Sequence, residues 1–191
     1  MRKANLEAAK VAKNDEFYTL YKDVEEEVEA YVSHNPNVFS GKVVYLPCDG
    51  PTSNFFRYFS DNQTRFGIKS LLRSSFGEGV DFRGEEACAL RDRADFVVTN
   101  PPFSLFREFL EWTKEKKFLI MGSNLVPNLR DAFTYLLNRE MWLGTKYNNI
   151  ILFEVPEHYI TNDTDKKKAT KFGYQGNYKS VSIGWYTNID Q

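Results

Sequence analysis

Cysteine, histidine and long apolar stretches are all scarce in this chain, and each scarcity narrows what its 191 residues can be. Two cysteines, Cys48 and Cys88, make no disulfide framework and suit a reducing cytosol. His34 and His158 each stand apart from any cysteine or acidic cluster, so no metal site is expected. No apolar run approaches the roughly 18 to 20 residues that a membrane-spanning helix needs, so no membrane partner is expected. Met1-Arg2-Lys3-Ala4-Asn5 leads into a charged helical pattern in place of the apolar core of a secretory signal. Internal repeats and low-complexity tracts are missing too. Nor is there an excess of positive charge: 25 Lys and Arg against 26 Asp and Glu leave a net charge of −1. That weighs against a uniformly basic nucleic-acid surface, while a local basic face remains compatible with it.

What is present is enough for one well-buried core, since 42% of the residues are hydrophobic and 16% aromatic. Short β-branched and aromatic runs predict strands at 43–46, 67–72, 95–99, 118–121, 142–144, 150–153 and 181–187. Helical patterns stand between them, at 85–90, 105–112, 130–137 and around Phe55, Phe56, Tyr58 and Phe59, with Ser53 or Asn54 as the cap. This alternation predicts an α/β fold with a mostly parallel sheet and helices on both faces, in a single domain spanning 1–191. Residues 1–34 read as an N-terminal helical segment, in which Glu25, Glu26, Glu27 and Glu29 form a solvated face. Residues 156–180 read as a polar loop that interleaves Lys166, Lys167, Lys168 and Lys171 with Phe172, Tyr174 and Tyr178.

The chemistry centres on Asn100-Pro101-Pro102-Phe103, which follows the strand at 95–99 and precedes a helix. Open α/β sheets place their ligands on loops at that end of a strand. The prolines lack N–H groups and restrict the backbone, so the segment is stiff and presents carbonyls without neighbouring donors. Asn100 adds an amide oxygen. Two acceptors a few ångströms apart suit a group with two hydrogens to give, such as the exocyclic amino group of a nucleobase. Holding both hydrogens out of the ring plane localises the nitrogen lone pair and makes it a better nucleophile. Phe103 could stack on a base rotated out of a duplex.

This tetrapeptide looks like the catalytic motif of amino-group DNA methyltransferases, and its surroundings resemble the EcoRI-type adenine-specific family in particular. The pieces that carry the resemblance are Lys13-Asn14-Asp15-Glu16-Phe17-Tyr18-Thr19, Val43-Val44-Tyr45-Leu46-Pro47-Cys48-Asp49-Gly50-Pro51 with Ser53-Asn54-Phe55-Phe56, Asp81-Phe82-Arg83, Ser104-Leu105-Phe106 after the tetrapeptide, and Trp142-Leu143-Gly144. The resemblance implies a Rossmann-like methyltransferase sheet, S-adenosylmethionine as cofactor, double-stranded DNA as partner, and the cytoplasm of a bacterium or phage-infected cell.

It also implies roles. Asn100, Pro101, Pro102 and Phe103 would be catalytic, with Asn100 also near the donor. Phe17, Tyr18 and Thr19 would meet the donor's methionine end, and Asp49, Gly50, Pro51 and Asn54 would form its loop. Asp81 would accept from the donor's adenine amino group, with Phe82 packed on the ring. The loop departs from the general glycine-rich pattern, and family members tend to carry a second acid where Gly50 stands. Strand two lacks a terminal acid for the ribose, since Arg73-Ser74-Ser75 and a flexible Gly77-Glu78-Gly79 follow it. Pro47-Cys48 resembles the nucleophile pair of cytosine-C5 enzymes but follows the wrong strand, so Cys48 reads as structural. Two alternatives stay open: an amino-group methyltransferase acting on RNA or protein, and a non-catalytic phage-type or regulatory binding protein of this fold.

Overall fold

A computed structural model describes residues 19–146, 149–155 and 161–190. Its centre is a sheet of β1 (Val43–Leu46), β2 (Ser70–Arg73), β3 (Phe96–Thr99), β4 (Lys117–Ser123), β5 (Trp142–Leu143), β6 (Asn149–Glu154) and β7 (Tyr178–Thr187). The order across the sheet is β2-β1-β3-β4-β7-β5, with β6 also paired to β7. Strands β1 to β4 are mutually parallel, and β7 inserts antiparallel beside β4. β5 and β6 then pair antiparallel with successive stretches of β7, so β7 alone opposes the rest among the described residues. The expected mostly parallel Rossmann-like sheet is found.

Burial on both faces explains why the parallel strands are continuous apolar runs. Val44, Leu46, Phe96, Val98, Leu119, Met121 and Trp185 point to one side, against α1 (Tyr21–His34) and α2 (Asn54–Asp61). There Val24, Val28 and Tyr31 of α1 meet Phe55, Tyr58 and Phe59 of α2, each set at helical spacing. Tyr45, Val97, Phe118, Ile120 and Tyr186 point to the other side. They are covered by α3 (Glu85–Arg93), α4 (Phe106–Thr113) and α5 (Arg130–Leu137), through Leu90, Phe106, Phe109, Leu110 and Ala132.

Three local expectations need correction. β2 begins at Ser70 and not at Gly67, because Gly67 adopts φ +64° in a turn whose carbonyl accepts from Gly41 N–H at 2.8 Å. Residues 156–180 are not simply a loop: Asp163–Lys171 forms helix α6, and β7 starts at Tyr178, while 156–160 lie outside the described residues. The helix starts because Asn162 and Asp165 form a reciprocal capping box. Glu27 is not on a solvated face but fully buried. Its carboxylate accepts from Thr145 N–H at 2.9 Å, the Thr145 hydroxyl at 2.7 Å, Lys146 N–H at 2.8 Å and the Tyr31 hydroxyl at 2.9 Å. α1 is thereby fastened to the turn that follows β5.

The turn leaves no room for a side chain at Gly144, where a Cβ would overlap both the Glu27 carboxylate and Trp185 Cβ. Gly144→Ala should therefore cost about 1 to 3 kcal/mol through overpacking, read from urea unfolding. A loss within experimental error would mean that the Glu27 fastening yields freely.

Candidate active site

The sequence of strands reverses direction across the sheet between β1 and β3, since β2 lies on one side of β1 and β3 on the other. At such a switch point the loops leaving adjacent carboxyl ends diverge and leave a crevice. A cavity of about 540 Å³ occupies it here. Its walls come from the loops after β1 (Cys48 to Ser53), after β2 (Ser75 to Glu78) and after β3 (Asn100 and Pro102), from Asn54, Phe55 and Arg57 of α2, and from Thr19 and Glu154. A larger groove of about 850 Å³ lies between α4 and α5. It reaches Phe118 near the opposite end of β4, away from this chemistry.

Asp49 is buried at the base of the first loop, where its Oδ2 accepts from the Thr99 hydroxyl at 2.6 Å. Its N–H donates to Ser74 O at 3.0 Å, which ties the ends of β1 and β2 together. Burial pushes the Asp49 carboxyl up to about 6, against the opposing pull of the Thr99 and Ser53 hydroxyls. Ser53 caps α2 by accepting from Phe56 N–H at 3.0 Å, which resolves the cap between the two candidates. Gly50 is not in the left-handed region, and an added Cβ would meet only Ser75 Oγ at 3.8 Å. The turn does not require that glycine; its effect is to keep the cavity open.

Released from capping, Asn54 donates to the Thr19 carbonyl at 2.9 Å. Asn100 Nδ2 donates to the Thr19 hydroxyl at 3.3 Å, which turns the amide oxygen away from Thr19. Buried Thr19 therefore bridges the loop after β1 and the loop after β3. Phe17 and Tyr18 lie outside the described residues. Pro101 and Pro102 are buried, and the Pro102 carbonyl accepts from Leu105 N–H at 3.0 Å, closing the short 3₁₀ turn Phe103–Leu105. Phe103 is half-buried against the core on the α1 side.

Asp81 and Phe82 are not brought into the cavity. Phe82 is fully buried, with its ring edge-on to Phe109 at 5.1 Å and Trp112 at 5.6 Å. Arg83 grips Asp81 with its Nε at 2.9 Å and Nη2 at 2.6 Å. Burial would raise the Asp81 carboxyl, but the bonds and charge of Arg83 outweigh it and hold the group below its ordinary range. The ring on the cavity wall is instead Phe76, lying 6.3 Å in front of Phe82. The acid is Glu78, with both carboxylate oxygens on Arg73 Nη1, at 2.8 and 2.6 Å, and one accepting from the Ser75 hydroxyl at 2.9 Å. The bonds from Arg73 and Ser75 hold Glu78 below the ordinary carboxylate range. An acid for the ribose is expected directly after β2, whereas Glu78 stands five residues beyond Arg73, which tethers it. Arg57, whose Nη1 donates to Asn54 Oδ1 at 3.3 Å, and Glu154 were also missed.

Cys48 lines the cavity, but burial and the neighbouring Asp49 charge push its thiol well above the ordinary value. A thiol held protonated is a poor nucleophile, in keeping with a structural role. The cavity therefore offers carboxylates, the Asn54 and Asn100 amides and hydroxyls to a polar ligand. Among the described residues, no group of three or more His, Cys, Asp or Glu could hold a metal ion.

The chain matches the family model described as adenine-specific methyltransferase EcoRI over residues 5–80 and 77–191. It is 34% identical to the Type II methyltransferase M.MpnI of Mycoplasma pneumoniae over 206 residues, covering 95% of this chain and 63% of that protein. It is also 34% identical to M.EcoRI of Escherichia coli over 232 residues, covering 97% and 68% of the two chains. The chain thus spans roughly two thirds of the length of these relatives. Among solved structures it resembles a protein of Pyrococcus horikoshii, an RNA methyltransferase by name, at a TM-score of 0.52 and 14% identity, covering 91% of this chain and 85% of that one. That likeness shows the fold.

The buried Asp49 makes stability depend on pH. Its folded value of about 6 lies above the unfolded one, so folding favours the protonated acid. This contribution is fully present below about pH 4 and is lost as pH rises through about 6. Asp49→Asn should match the wild type at pH 4 yet be about 1 to 3 kcal/mol more stable at pH 7.5, measured by urea unfolding. Parallel pH profiles for the two proteins would refute the assignment.

Proposed function

Since this chain belongs to the EcoRI family of adenine-specific methyltransferases, we propose that it transfers a methyl group from S-adenosylmethionine to the exocyclic amino nitrogen of an adenine turned out of duplex DNA. One observation carries the reading: Thr19 joins Asn54 to Asn100, so the donor loop and the catalytic tetrapeptide share one cavity wall. The names of the relatives, Type II methyltransferases, point the same way.

The donor set suits S-adenosylmethionine. A cavity of about 540 Å³ falls in the range of cofactor sites. Buried Asp49 favours a cation nearby, because a positive charge offsets the cost of ionising it. Glu78 would accept from ribose hydroxyls, and Phe76 would offer a face to the donor's base. Arg57 suits the donor's carboxylate, and Thr19, Gly50, Pro51 and Asn54 complete the wall, with Phe17 and Tyr18 expected beside Thr19. Phe82 supports this wall from behind through Phe76, and Asp81 stands outside the cavity lining. When bound, the donor supplies a methyl on a sulfonium, which carries its own leaving group.

The rest falls to the tetrapeptide. With the Pro102 carbonyl committed to Leu105, the acceptor pair for the adenine amino group is the Asn100 amide oxygen and the Pro101 carbonyl. Together they draw the two hydrogens aside and concentrate the lone pair on nitrogen. Pro101 and Pro102 keep both oxygens in place without reorganisation, the condition for electrostatic catalysis. Phe103 stacks on the flipped base. Nothing here calls for a metal or a covalent nucleophile, and the setting is a bacterial or phage-infected cytoplasm.

Two variants test the division of labour. Asn100→Ala should leave S-adenosylmethionine affinity within a few-fold by calorimetry, yet lower transfer of tritiated methyl to mixed-sequence duplex by about 100-fold or more. Unchanged transfer would remove the role given to Asn100, and label entering RNA or protein in preference to DNA would overturn the substrate. Glu78→Gln should weaken donor binding about tenfold without changing DNA affinity. Equal donor affinity would take the ribose away from Glu78.

A further inference from the structure

The proposed substrate is a polyanion, while the chain has a net charge of −1. Its positive charge is unevenly spread. Between Asp163 and Lys179 stand five lysines and two aspartates, with no other ionised side chain. Two of the lysines are committed inward: Lys179 Nζ pairs with buried Asp165 at 3.1 Å, and Lys168 Nζ donates to Ser180 Oγ at 3.1 Å. Lys166, Lys167 and Lys171 are exposed and form no ion pair among the described residues. On a helix of 3.6 residues per turn they share one arc, opposite buried Asp165 and Ala169.

That arc is held rigidly. Asp165 accepts from its own cap partner's N–H, from Ser180 N–H at 3.0 Å and from the Ser180 hydroxyl at 2.6 Å, fixing α6 to β7. It also stands in a particular place. β4 ends at Ser123, which pairs with Ile183, but β6 and β7 continue pairing for five more residues, to Glu154 and Tyr178. The two strands therefore overhang the carboxyl edge of the sheet by about 16 Å. Glu154, at the overhanging end, lines the cavity together with Asn100. Phe172, 61% exposed, follows Lys171 at the end of the helix.

We propose that the β6–β7 arm and helix α6 form a docking surface for the phosphate backbone of the DNA duplex, with Lys166, Lys167 and Lys171 as the contacting cations and Phe172 as an apolar contact beside them. This rests on the DNA reading above. A duplex laid along the arm has its backbone beside the opening in which Asn100 stands, so sequence-independent contacts hold it while one base leaves the stack. The segregation of charge also explains how a chain of nearly zero net charge binds a polyanion.

The test is the salt dependence of binding to a labelled mixed-sequence duplex, measured by fluorescence anisotropy between 50 and 200 mM salt. In the full chain, Lys166→Gln, Lys167→Gln and Lys171→Gln combined should reduce the slope of log K against log salt by about 2 to 3, near 0.9 for each phosphate no longer neutralised. The combined Lys→Arg changes should keep the slope. Thermal unfolding and S-adenosylmethionine affinity should stay as in the wild type, since all three side chains are exposed and outside the cavity. If the wild type binds the duplex and the glutamine variant binds with the same slope and affinity, the inference falls while the DNA reading stands. If the wild type shows no salt-dependent duplex binding, both fall together.

Discussion

A carboxylate kept from water at the point where the strand order reverses is the constraint on which the site depends. Asp49 stands at the base of the loop after β1, and its partner Thr99 is the last residue of β3, so their 2.6 Å bond closes the crevice at its base. Thr99 is fully buried, and the Asp49 N–H is engaged on the strand-two side. Three strand ends are thereby fixed relative to one another, and the loops above them can be short and stiff. The arrangement costs stability, because hydroxyl partners alone do not offset burial of the charge. Such a cost is expected at a binding site and unexpected in a core.

Thr19 adds a second level of order. It belongs to no strand or described helix, yet its carbonyl holds Asn54 and its hydroxyl holds Asn100. Movement of this residue would change the wall of the proposed donor site and the orientation of the proposed catalytic amide together. Thr19 therefore takes part in the site's geometry.

Much of the fold is legible in the sequence because buried parallel strands must be continuous apolar runs. β1 and α5 fall at their expected bounds, and β3, β4 and α3 within a few residues. Errors arise where tertiary contacts override local pattern. Glu27 sits in an acidic helical run, yet the turn after β5 needs an acceptor for two N–H groups. The helix at Asp163–Lys171 has a polar composition suited to a loop, and it forms because Asp165 satisfies both its own cap and Ser180. At the cavity, the tetrapeptide and Asp49 announce themselves through residue type and position, and Thr19 only through the resemblance. Glu78 and Phe76 do not, because a 3₁₀ turn carries them back to the crevice from beyond the expected strand end. Asp81-Phe82 carries the letters of a binding pair, but Arg83 claims the acid and the core claims the ring.

Three buried acids show how burial alone fails to mark a site and partnership succeeds. Glu27 and Asp165 each accept from main-chain N–H groups, which cannot leave, and both fasten one element to another. Asp165 also has Lys179 beside it; burial raises its carboxyl, but the Ser180 bonds and the Lys179 charge outweigh that and hold it below its ordinary range. Among the described residues, Asp49 has only hydroxyl partners for its carboxylate, no cation, and an open cavity on its remaining side. The first two are complete without a ligand. The third is at lower energy when a positive charge arrives, and the opening that admits such a charge is the one that the Asn100 loop overlooks. Bonds at the other two acids offset what the fold gives up at Asp49, and one of them, Asp165, anchors the basic arm.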